Sequence, residues 1–164
     1  MIALISRFRP IWPLLTALGS GAMLAGAHAF ERFGGLEPCP LCLDQRKWHW
    51  AVVGVSLLAL GALRLRPLLA RWAAALIGCV LLGAALMGAY HVAVEQHWVI
   101  AQCDARIDMS QIRPFDLGGE LTVPKCDQIA WSMFGISMAG YNALISLALA
   151  LTSFCVALTP ERKS

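Results

Sequence analysis

FGISMAGYNALISLALALTSFCVAL, residues 134–158, runs for 25 residues without an Asp, Glu, Lys or Arg. A helix rises about 1.5 Å per residue, so roughly 20 apolar residues cross a hydrocarbon core about 30 Å thick. Lipid offers backbone N–H and C=O groups no partner, which makes an unbroken helix the expected form. Residues 11–30, 44–63 and 72–90 repeat the pattern. The second is the weakest, because its purely apolar part, Ala51–Leu63, is only 13 residues long. It spans only if its first two turns, with Asp44, Gln45, Arg46, Lys47 and His49, lie at the interface. The length of 164 residues suits one domain, residues 1–164. Only 14% of residues are charged and 59% are hydrophobic, with a mean hydropathy of +0.66, whereas soluble domains carry about 25% charged residues. The expected fold class is an all-α membrane protein, a bundle of four transmembrane helices. A net charge of +3, with no basic cluster interleaved with aromatics, argues against nucleic acid.

Basic residues in short flanks set orientation. Arg7, Arg9, Arg64, Arg66, Arg71, Arg162 and Lys163 crowd the short segments on one side. The other side holds Arg32, Arg46, Lys47, Arg106, Arg113 and Lys125, spread over more than twice as many positions, with nine of the ten acidic residues. Both termini are therefore expected in the cytoplasm, with loops 31–43 and 91–133 outside. Trp48, Trp50, Trp98 and Trp131 fall near the outer helix ends, as an interfacial belt would. Ala27-His28-Ala29 after an apolar run also reads as a leader cleavage site; the run is long for a leader and contains Pro13, so a retained helix is expected. The short turn Arg64–Pro67 makes helices two and three antiparallel neighbours. Gly54, Gly61, Gly78, Gly83, Ala84 and Gly88 are expected to let helices approach closely.

Topology sorts the six cysteines. Cys79 and Cys155 fall inside apolar helices and read as small hydrophobes. Cys39 and Cys42 lie at the mouth of helix two, and Cys103 and Cys126 in the second outer loop, on the side where disulfides persist. A bond closing the Cys103–Cys126 segment would stabilise a loop by roughly 3 kcal/mol. A CxxC closes almost no loop, so "PCPLC" points to redox chemistry or metal. Four cysteines, with His91 or His97 as substitutes, could ligate zinc; thiolates on an oxidising face are poor holders of metal, and none is expected.

Cys39, Cys42 and Arg46 stand at i, i+3 and i+7, along one stripe of a helix that starts near Pro38 or Pro40. A helix N-terminus and a guanidinium both favour a thiolate. Arg46 would also stabilise an anionic, partly reduced ligand oxygen, or it could simply snorkel to the interface. No glycine-rich nucleotide loop is present. A lipid-soluble acceptor needs only an apolar groove with a polar group at its end, and a quinone fits that place.

"PCPLCLDQR" and "VPKCDQIAWSMFGISMAGYNAL" resemble the bacterial disulfide bond formation protein B (DsbB) family, a likeness covering residues 16–158. The resemblance implies a four-helix inner-membrane enzyme, a quinone-dependent protein disulfide oxidase. Such enzymes reoxidise a periplasmic thioredoxin-fold dithiol oxidase (DsbA-like) and use ubiquinone or menaquinone. It also implies roles: Cys103 is attacked by the partner thiolate, Cys126 is its pair and passes electrons to Cys39, Cys42 faces the quinone, and Arg46 positions it. A histidine near the outer end of helix three is linked with the quinone in the family; His91 and His97 both compete for that place. Residues 104–125 are expected to form an amphipathic surface segment hinged at Gly118-Gly119. The competing readings are a membrane scaffold with structural disulfides and a relative serving one dedicated partner.

Overall fold

The computed structural model describes residues 8–100 and 125–160. Its long helices are α1 (Trp12–Gly34), α2 (Pro40–Leu65), α3 (Ala70–Glu95) and α4 (Met138–Leu158). Each is long and apolar enough to cross a membrane. The chain is thus an all-α, four-span membrane protein. Cys103, the segment 104–124 and its Gly118-Gly119 pair lie outside the described residues.

Local chemistry places the helix ends. Gly35 stops α1 by entering the left-handed region at φ 64, and its N–H bonds Phe30 O, as does Leu36 N at 3.3 Å. α2 starts at Pro40, where a missing N–H costs nothing, and the Cys39 side chain caps it by accepting from Cys42 N at 3.3 Å. The polar turns from Asp44 to His49 are therefore helical from their start. Arg66, ahead of Pro67, leaves helical space at φ −141 and ψ 88, and a 3₁₀ turn, Pro67–Leu69, leads into α3. The apolar run that begins at Phe134 does not open as helix. Ser132–Met133 pairs antiparallel with Ile136–Ser137 as β1 and β2. Phe134 and Gly135, at φ 52 and 79, make the left-handed corner that suits a two-residue hairpin. Ser137 then caps α4, accepting from Gly140 N at 3.1 Å.

The interior is small and tight. Val52, Ala59, Ile77, Leu81 and Ala150 form its centre, while Leu58, Leu86, Leu144 and Leu151 face outward toward lipid. α3 and α4 approach closely at Gly88, where an added Cβ would stand 2.9 Å from Ala143 N. Gly83 leaves room for the Trp48 ring, 2.4 Å from where a Cβ would be. Gly54 and Gly61 have nothing within 4 Å of that position, so close packing does not require glycine there. Buried hydroxyls tie the spans together: Thr16 and Ser56 meet at 3.0 Å, and Trp12 Nε1 donates to Ser153 Oγ at 2.9 Å.

Candidate active site

At the end of the bundle where α2 begins, one cavity of about 320 Å³ opens among the four helices and the segment before β1. Met23, Leu24, Phe30, Trp131 and Ile145 give it an apolar wall, and Cys39, Cys42, Arg46, His49, His91 and Glu95 line its polar side. The size lies at the small end of ligand sites, and the mix of apolar wall and few convergent polar groups is what such sites show.

The cysteines sort in space as they do in sequence. Cys39 and Cys42 are free thiols whose sulfurs meet at 2.8 Å. Cys39 is buried at the helix cap, and Cys42 is partly open on the cavity. Cys126 is disulfide-bonded, 1% exposed, and packs in one buried cluster with Cys39 and Val94. The structure therefore brings three of the four predicted cysteines together. Cys79 and Cys155 are free and face outward from α3 and α4. The hydrogen bond to Cys42 and burial push the Cys39 thiol well above its ordinary value of 9.0, so in the reduced pair the proton stays on Cys39 and points at Cys42.

Arg46 sits one turn past Cys42 and is held rather than free. It bonds Glu31 at 2.5 Å and the Ala27 carbonyl at 3.3 Å, and its side chain is 14% exposed. Those contacts pin α2 to α1 and fix the guanidinium on the cavity wall. Of the two histidines competing near the end of α3, His91 is buried at 4% and lines the cavity. His97 lies past the helix, exposed, at φ 57.

Gln45, His49, Glu95, Ser137 and Asn142, which the cysteine pattern does not single out, complete the site. His49 Nε2 meets Asn142 Oδ1 at 2.6 Å, Asn142 Nδ2 donates to Gln45 Oε1 at 2.6 Å, and Gln45 Nε2 meets His91 Nδ1 at 2.6 Å. The far ring nitrogen, Nε2 of His91, lies 3.7 Å from Cys39 Sγ and 4.0 Å from Glu95 Oε1. His91 also hydrogen-bonds the Cys126 backbone. Ser137, the α4 cap, donates to Glu95. Their signal was available: polar side chains inside membrane spans are rare and functional by default. Cys39 Sγ, Cys42 Sγ and His91 also lie within 4.8 Å of one another, the spacing of three ligands to a soft cation. Because Gln45 Nε2 can only donate, neutral His91 carries its hydrogen on Nε2, so it offers the sulfurs a donor, not a lone pair.

A family model described as disulfide bond formation protein DsbB matches residues 9–156. The chain is 34% identical over 149 residues to disulfide bond formation protein B of Methylococcus capsulatus, covering 83% of this chain and 86% of that one. It is 32% identical over 155 residues to the protein of that name from Azoarcus sp., covering 88% and 89%. Disulfide bond formation protein B 2 of Pseudomonas putida is 32% identical over 141 residues, covering 79% of each chain. No solved structure matches.

Proposed function

The chain belongs to the DsbB family of membrane disulfide bond formation proteins, and from that premise we propose that it is a quinone-dependent disulfide oxidase of the bacterial inner membrane. Its termini lie in the cytoplasm and its cysteine-bearing end faces the periplasm. Electrons arrive from a reduced thioredoxin-fold dithiol protein of the DsbA kind, which attacks Cys103 of a Cys103–Cys126 disulfide. The Cys126 thiolate so released attacks Cys39 of the Cys39–Cys42 disulfide, and Cys42 leaves as a thiolate. The partner's second thiolate then frees Cys103. Cys103 attacks Cys126, the Cys126–Cys39 bond breaks, and Cys39 leaves with the electron pair. Each exchange makes one S–S bond and breaks one.

The observation that carries this reading is the buried cluster that sets Cys126 against Cys39, with Cys42 opening beside Arg46 on an apolar cavity. That cavity fits a quinone: an apolar wall for ring and tail, and a fixed guanidinium and a thiol at the polar side. A bound ubiquinone or menaquinone would supply a two-electron, two-proton acceptor for oxidation of the Cys39–Cys42 dithiol to the disulfide. Arg46 and His91 would hold its oxygens, and Cys42 would stand nearest the ring.

The test uses the full-length protein in detergent with a reduced thioredoxin-fold dithiol protein and a soluble ubiquinone analogue, followed by quinone absorbance. The wild type consumes quinone only with dithiol supplied, and Cys42→Ala does not. Equal consumption by Cys42→Ala, or inert cysteines in the wild type, would leave the disulfide at Cys126 as a brace and the chain as a scaffold.

A further inference from the structure

The hydrogen bonds joining His49, Asn142, Gln45 and His91 have a direction, and direction is chemistry. An amide oxygen only accepts and an amide nitrogen only donates. His49 therefore donates from Nε2 to Asn142 Oδ1, Asn142 donates to Gln45, and Gln45 donates to Nδ1 of His91. His49 Nδ1 is buried without a partner. Reversing both amides would place a hydrogen on that atom, and a buried unpaired N–H is the rarer and costlier orphan. The Ser146 hydroxyl, 3.3 Å from Asn142 Oδ1, can donate to it in this orientation.

We propose that Gln45 and Asn142 are positioning residues that lock His91 with its hydrogen on Nε2, aimed at Cys39 Sγ, so that Cys39 departs as a stabilised thiolate when the Cys126–Cys39 bond is cleaved. The inference rests on the relay proposed above. In that step the incoming Cys103 thiolate bonds to Cys126, the electron pair of the broken bond stays on Cys39 Sγ, and no proton is transferred. The charge is received by the backbone N–H groups of Leu41 and Cys42, the latter at 3.3 Å, and by His91 Nε2–H at 3.7 Å, which Cys39 shares with the Cys126 backbone. A better-stabilised leaving thiolate leaves faster. The lock spans three helices, so a substitution on α4 controls a hydrogen on α3 without touching it.

Asn142→Asp removes the one donor Gln45 Oε1 receives among the described residues. Gln45 then turns its nitrogen to the new carboxylate and its oxygen to His91, whose hydrogen moves to Nδ1. Gln45→Glu does the same directly. Both are made in full-length Cys42→Ala protein, where Cys39 is read alone. The tautomer is read by ¹⁵N NMR of labelled histidine, and Cys39 thiolate content by its iodoacetamide alkylation rate at pH 7, located by mass spectrometry. Expected are a shift of His91 from Nε2–H to Nδ1–H in both variants and a fall of about tenfold in alkylation, the scale of one hydrogen bond to a charged group. Retention of the Nε2–H form would overturn the proposal, including a slowed rate with that form retained, which would reflect added charge alone. So would an inverted tautomer with an unchanged rate. Neither readout needs quinone or partner, so a failed relay with a working lock is told apart from a failed lock.

Discussion

Replacing Gly88 by alanine puts a methyl where α3 and α4 leave none. The new Cβ would lie 2.9 Å from Ala143 N and 3.0 Å from its Cα, and backbone atoms cannot swing aside as a side-chain tip can. The helices must part by a few tenths of an ångström along the α3–α4 contact, one turn before His91 and beside Asn142, the neighbour of Ala143. Overpacking of this kind costs about 1–3 kcal/mol. Alanine also gains about 1 kcal/mol of helix propensity over glycine, and this gain has to be removed from the comparison. Gly54→Ala does that: it sits in α2 with nothing within 4 Å and gains the propensity alone. Gly88→Ala is therefore expected to fall about 1–3 kcal/mol below Gly54→Ala, a factor of roughly 5 to 150 in the folded-to-unfolded ratio. Unfolding of the detergent-solubilised proteins by SDS, followed by tryptophan fluorescence, measures the difference. Gly83→Ala is the internal control, since its neighbour is the half-exposed Trp48 ring, which can move; its cost is expected to be the smaller. Equal stability of Gly88→Ala and Gly54→Ala would refute the packing argument.

Arg46→Leu is expected to raise the KM for a soluble quinone analogue about tenfold, the worth of one charge-assisted contact, with Arg46→Lys recovering part because charge returns without the planar fork; steady-state kinetics checks both. Ser137→Ala removes the α4 cap and the donor to buried Glu95, and should cost about 1–3 kcal/mol in the same SDS unfolding assay. Because contact with Cys42 and burial raise the Cys39 thiol above 9.0, the folded reduced protein keeps a proton that the unfolded chain gives up. The associated stability is complete below pH 9.0 and is lost as pH rises above it toward the folded value. Reduced wild type should thus lose more stability between pH 9 and pH 11 than Cys39→Ser, and parallel losses would contradict the assignment.

The spans were legible because hydropathy over 20 residues is a summed quantity, robust to any one position. The start of α2 was legible too, since Cys39-Pro40 pairs a capping side chain with a residue suited to a first turn. The hairpin at residues 132–137 was not, because Phe134 to Ser137 are as apolar as the helix they precede; only the left-handed Phe134-Gly135 corner separates them. The placement of Cys39 and Cys42 together at the start of α2 was readable from their spacing. The amide chain was not readable. Gln45 and Asn142 are 97 positions apart, and periodicity says only that each faces inward. Which amide faces which ring depends on the rotation of α2 and α4 about their axes, fixed by contacts such as Gly88 against Ala143 that no local pattern encodes. His91 and His97 were separable only once the end of α3 was known: one precedes the last turn and points in, the other follows it and points out.

The aromatic stack beside Cys126 has a kinetic consequence. Trp131 lies between Phe30 of α1, at 5.1 Å, and Tyr141 of α4, at 6.2 Å, and Tyr141 in turn donates to the Met133 carbonyl in β1. The segment after Cys126 is thus stapled to two spans at Trp131, five residues along the chain from Cys126. In the relay proposed above, Cys126 would serve as a berth, not a swinging arm, with no diffusive search before it meets Cys39. The internal exchange should accordingly ignore solvent viscosity, while capture of the incoming partner slows in proportion to it.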